Sequence, residues 1–187
     1  MPRRRPQTVL AAAALLALAV PPGAASAAEV PRTLAGLDLG MTLDAARAAA
    51  VAQKLPFNGC DTVTVRGDGR PLVTICSHQG LSKGTELDLE RTDLQVWADG
   101  AGTVFTIRNA TPISCRPEEQ VGVVRDIQAR YEGIAQWQPA WSWTGGDGTT
   151  ALDVEMKNAE APCSVVSEIR TIATHDAVAA ALKAEFE

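Results

Sequence analysis

A chain of 187 residues with 22 acidic and 17 basic side chains carries a net charge of −5, and its basic residues cluster most densely near the N-terminus. Such a chain is a poor partner for nucleic acid or an anionic membrane surface, both of which call for clustered Lys and Arg. Hydrophobic residues make up 46% of it, enough apolar material for one compact domain or for two small lobes sharing a core.

The chain opens on Arg3, Arg4 and Arg5, an apolar run from Val9 to Val20, Pro21-Pro22 and then Ala25, Ser26 and Ala27. These are the three parts of a cleavable export signal, so residues 1–27 are expected to be removed and the mature chain to be soluble in the periplasm or secreted. The rival reading is a transmembrane anchor, but 12 apolar residues are too few to cross a hydrocarbon core of ~30 Å. Pro6 and Gln7 stand where a twin-arginine signal would carry hydrophobic residues, which favours the ordinary secretory route. No cysteine lies at the cleavage region, so no lipid anchor is expected. Removing the three signal arginines from 17 basic and 22 acidic residues leaves −8 for the mature chain.

Thr42 is placed to cap an Ala-rich helix from Leu43 to about Lys54, ended by Pro56. A hairpin follows: Thr62 to Arg66, a Gly67-Asp68-Gly69 turn, then Arg70 to Ile75. A turn centred on Asp68 sets Val63 opposite Val73 and Cys60 opposite Cys76, with Val65 and Ile75 on the face of the valines. Leu87 and Leu89 then alternate with Glu86, Asp88 and Glu90. A second hairpin runs from Leu94 to Trp97, turns at 99–102 and returns from Val104 to Ile107; its expected register faces Leu94 with Ile107 and Val96 with Phe105.

Pro117, Glu118 and Glu119 open a second helix, with Val121, Val124, Ile127 and Tyr131 as its apolar stripe. Strands are expected around Ala135 to Trp143, Thr150 to Met156 and Cys163 to Ile172, followed by a helix from about Asp176 to Phe186 that packs through Val178, Ala181 and Leu182. Helices segregated from strand runs predict an α+β fold, with helices packed on an antiparallel meander. The organisation reads as a signal over 1–27, a helix-plus-meander half over 28–114 and a helix-strands-helix half over 115–187, two halves of similar logic, each a helix followed by a meander and each carrying two cysteines.

Four cysteines in an exported chain read first as disulfides. The hairpin register favours Cys60 with Cys76 and leaves Cys115 with Cys163, although a bulge or a one-residue slip would spoil that opposition. Intervening stretches of 15, 38 and 47 residues contain no C-x2-C pair, and His78 and His175 are the only histidines, so no metal and no cofactor are expected.

No G-x-S-x-G elbow, zinc helix motif or phosphate loop is present, and no catalytic residue is assigned. Ser77 and His78 are neighbours on a strand and point to opposite faces. His175, beside Asp176, reads as a helix-start residue. The acids Glu86, Asp88 and Glu90 form a solvated line, and Arg66-Gly67-Asp68 is explained as a hairpin tip. The candidate binding residues are Trp137, Trp141 and Trp143; the last two share a face in an extended segment, where exposed indoles would stack on a sugar or anchor a protein, and burial in the core is the alternative.

Leu37 to Thr42, followed by Leu43 to Arg47, resembles the opening of bacterial envelope domains in which a Gly-Met-Thr or Gly-Met-Ser turn caps a helix. Among these are BamE (SmpA/OmlA)-type outer-membrane assembly domains; the β-lactamase-inhibitor-protein-like fold is similar in architecture. Arg130 to Gly133, with Trp141 beyond, resembles the Lys-Tyr-Gly and Trp pattern of related periplasmic proteins, although Glu132 interrupts the Tyr-Gly pair. The lipoprotein cysteine of the assembly subunit is also missing. The resemblance implies a helix-on-sheet envelope domain that binds something, and it carries over no catalytic residue. The expected function is a non-catalytic exported module that binds an envelope protein or glycan. The alternatives are a secreted inhibitor of a hydrolase and a small envelope-remodelling hydrolase using acids such as Asp147 or Asp153.

Overall fold

The computed structural model describes residues 30–78, 94–130, 140–157 and 163–186. The expected strand at Leu87 and Leu89, with Glu86, Asp88 and Glu90, lies outside these residues, as do the expected signal, Tyr131 and Trp137. Among the described residues the fold is α+β, with three helices and a seven-stranded antiparallel sheet.

Two short strands come first, β1 (Thr33–Leu34) and β2 (Leu37–Asp38). They pair across a two-residue turn in which Ala35 and Gly36 both have positive φ, the geometry that matches strand twist. Leu37 and Leu39 bury themselves in the core, and Gly40, at φ 89°, turns the chain toward Thr42. Thr42 caps α1 (Leu43–Ala52), its hydroxyl accepting from the Ala45 amide at 3.2 Å. Ala46 and Ala50, one turn apart, are fully buried, and α1 packs against β2.

The first hairpin is β3 (Gly59–Thr64) and β4 (Pro71–His78), with Cys60 opposite Cys76 and Val63 opposite Val73, as its turn predicts. A register shift after Val63 sets Thr64 opposite Pro71. The second is β5 (Leu94–Asp99) and β6 (Val104–Pro112). Here the expected register is corrected by two residues: Leu94 faces Asn109 and Val96 faces Ile107. One residue of the shift arises at the turn, where Ala98 already faces Val104 rather than Thr103, and the other at a bulge between Trp97 and Ala98, opposite Thr106 and Val104, where Phe105 is the extra residue and turns into the opposite core. The turn is tied by the Asp99 carboxylate, which accepts from the amides of Ala101 and Thr103 at 2.9 Å. Gly100 has no alternative there, because a Cβ would run into the Pro71 carbonyl.

α2 (Pro117–Arg130) begins where its proline and acids predict. Its stripe differs from expectation: Val124 is buried and Val123 half-buried, while Val121 is 52% exposed. Three strands follow, β7 (Ala140–Thr144), β8 (Thr150–Lys157) and β9 (Ser164–Thr171). α3 (Ile172–Phe186) starts four residues before the expected Asp176. Its first amide donates to the Thr149 carbonyl at 2.9 Å, which satisfies one of the donors that a helix start leaves unpaired.

The sheet order is β3-β4-β5-β6-β9-β8-β7, so the meander of each half meets the other through its last strand. Cys115–Cys163 lies at the end of this β6–β9 seam, next to the bond from the Ile113 amide to the Cys163 carbonyl. The larger core lies between one sheet face and the side bearing α1, β2 and Val124. On the other face α3 covers a smaller core of Val73, Ile75, Phe105 and Val178, with Trp97 and Leu182 at its margin.

Candidate functional site

Strand alternation sends Leu152, Val154 and Met156 of β8 into the larger core and Asp153, Glu155 and Lys157 to the opposite face. The same parity in the other strands builds a row of polar residues, each directly opposite the next. It runs Ser77 on β4, Gln95 on β5, Arg108 on β6, Glu168 on β9, Asp153 on β8 and Ser142 on β7. The neighbouring row, Ile75, Trp97 and Thr106, is the floor beneath α3 and continues into Arg170 on β9.

Ser77 and Gln95 are each 1% exposed and satisfy one another: Gln95 Nε2 donates to Ser77 Oγ at 3.4 Å, and Trp97 Nε1 donates to Gln95 Oε1 at 2.8 Å. Farther along the row Arg108, Glu168 and Asp153 are half-buried and charged, and Ser142 at the end is exposed. Arg170 Nη1 pairs with Asp153 Oδ2 and reaches Glu168 Oε1 at 3.3 Å. Burial pushes the Glu168 carboxyl above its ordinary pKa, while Arg108 and then His175 pull it back down. His175, on the first turn of α3, lies near-parallel to Trp97 with ring centroids 6.3 Å apart and edge-on to Phe105 at 6.5 Å. The hydroxyl of Thr106 is buried there without a hydrogen-bond partner. The result is a preorganised strip in which two neighbouring acids, Glu168 and Asp153, lie between Arg108 of the same row and Arg170 of the next, bounded at one end by a buried amide and at its side by a helix.

The sequence-predicted site residues lie elsewhere. Trp141 is 4% exposed in the larger core, and Trp143, half-buried, packs against the same core. Both therefore occupy the sheet face opposite to the polar row. His78 Nδ1 lies 2.7 Å from the Pro56 carbonyl oxygen, on the side away from Ser77. Asp68 and Asp147 serve their own turns. The Arg70 amide and side chain lower the pKa of Asp68, and the Thr149 hydroxyl and amide lower that of Asp147. The four cysteines form Cys60–Cys76 and Cys115–Cys163, with Cα atoms 4.0 and 5.3 Å apart. Among the described residues no group of three or more His, Cys, Asp or Glu side chains is arranged to hold a metal ion, and no helix is long and apolar enough to cross a membrane.

Gln95, Arg108, Glu168 and Arg170 belong to no sequence motif. Their trace is the polar positions that alternate with apolar ones in the strand runs at 94–98, 104–108 and 165–170, and only the pairing of distant strands aligns them. No family model matches the chain, and neither the curated proteins nor the solved structures contain a match.

Proposed function

We propose that this chain is an exported, non-catalytic binding module of the bacterial envelope, in the periplasm or secreted, and that the polar sheet face is its recognition surface. The N-terminal segment and the two disulfides support export. The observation that carries the binding role is the charged row Arg108, Glu168 and Asp153 with Arg170. It is half-buried on strands rather than loops, and α3 packs against β4, β6 and β9 beside it. Donors and acceptors fixed on rigid strands lose little entropy on engaging a polar target, either an envelope protein or a glycan.

The test is chemical-shift mapping of the mature chain with fractions of envelope extract, repeated with Arg108→Ser and Asp153→Ser. Shifts centred on Gln95, Arg108, Asp153 and Glu168, weakened in both variants, are expected. Shifts confined to the opposite face, or undiminished in both variants, would rule the surface out.

A hydrolase is a second reading with one observation in its favour: Asp153 and Glu168 stand directly opposite one another, and the Glu168 carboxyl is held high. It requires turnover of an envelope polymer that disappears in Glu168→Gln, whereas a binding module retains full function without turnover.

A further inference from the structure

We propose that Cys60–Cys76 is a thiol–disulfide exchange site, opened by an external dithiol before Cys115–Cys163, with the Arg47 guanidinium stabilising the sulfur that leaves. The bridge joins β4 to β3, an edge strand whose residues are mostly exposed. Cys60 is itself exposed, whereas Cys76 is fully buried, so an incoming thiolate has one sulfur to attack. Arg47, an exposed residue of α1 next to buried Ala46, brings Nη2 to 3.5 Å from Cys60 Sγ and 3.9 Å from Cys76 Sγ. Its Nη1 is held at 3.1 Å by Asp44 Oδ1, one turn earlier, which aims the guanidinium at the sulfurs. Cys115–Cys163 has the same asymmetry, with Cys115 exposed and Cys163 buried, so what sets Cys60–Cys76 apart is the Arg47 contact.

The chemistry balances without a metal or a cofactor. A thiolate of the dithiol attacks Cys60 Sγ, a mixed disulfide forms, and the Cys60–Cys76 bond breaks with its electron pair going to Cys76 Sγ. The second thiol of the reductant then attacks the mixed disulfide and releases Cys60. The dithiol is oxidised by two electrons, the protein disulfide is reduced by two, and the protons lost by the reductant end on the two cysteines. A cation against the sulfurs favours both charged participants, the approaching thiolate and the departing one, and a better-stabilised leaving thiolate departs faster. Opening the bridge removes a covalent tie between edge strand β3 and the sheet.

The experiment treats the mature chain, both bridges formed, with limiting dithiothreitol, quenches with an alkylating reagent over time and maps the labelled peptides. Cys60 and Cys76 are expected to label about tenfold sooner than Cys115 and Cys163, and Arg47→Gln to slow the first pair about fivefold with the second unchanged. Arg47→Lys is expected to restore most of the lost rate, and high salt to narrow the gap between the bridges. Equal rates for the two bridges, the reverse order, or an Arg47→Gln chain that opens at the wild-type rate would overturn the proposal. A parallel change at both bridges in the two Arg47 variants would overturn it too, since that reports a loosened fold rather than a local cation.

Discussion

Glu168 shows how one side chain can work against stability while completing a surface. Burial raises its carboxyl, and the charges of Arg108 and His175 only partly restore it. A carboxyl raised in the folded state contributes its full stability below the unfolded value of about 4.3, and that contribution is lost as pH rises through the higher folded value. Glu168→Gln is therefore expected to lose less stability than the wild type between about pH 4 and neutrality. Urea unfolding across that range checks it, and identical slopes would remove Glu168 as the cause. Asp68 and Asp147 have the opposite sign, since their lowered values stabilise above the ordinary carboxylate range and fade as pH falls through the folded values. Both are exposed turn residues and serve to fix local geometry.

At the scale of elements, local chemistry and tertiary pairing divide the work. Thr42, its hydroxyl on the Ala45 amide, makes the start of α1 readable from sequence, and Thr42→Ala is expected to cost about 1 kcal/mol in urea unfolding, with Thr42→Ser close to wild type. The first hairpin is legible for a similar reason: a Gly-Asp-Gly turn leaves few ways to align the valines and cysteines, and Val63 meets Val73 as expected. In the second hairpin, Phe105 is drawn into the core beneath α3, and the bulge it makes adds one residue to the one-residue shift already present at the turn. Nothing within that hairpin announces a helix from the far end of the chain. The same holds for Val121, whose helical spacing fits a core stripe although it is 52% exposed, because only the neighbourhood of Val123 and Val124 meets the larger core.

For the whole molecule, the decisive contact is the seam between β6 and β9, where the two meanders become one sheet. Cys115–Cys163 spans 48 residues across that seam, and Cys60–Cys76 spans 16 within one hairpin. Constraint of the unfolded chain grows with loop length, so replacing Cys115 and Cys163 with serine is expected to cost about 4 kcal/mol, against about 3 kcal/mol for the Cys60 and Cys76 pair. Urea unfolding of the two double variants measures the difference, and a larger loss for the hairpin pair would show that native contacts outweigh chain entropy. Sequence alone determined the α+β class, the cap of α1, the first hairpin's register and both cysteine pairings, because each rests on spacing and turn chemistry within short stretches, with the last pairing following by elimination. Tertiary structure alone decided that Trp141 lies inside the core and that Arg108, Glu168 and Asp153 form one row. The row joins strands some 60 residues apart, and a non-local register leaves no local pattern from which it could be read.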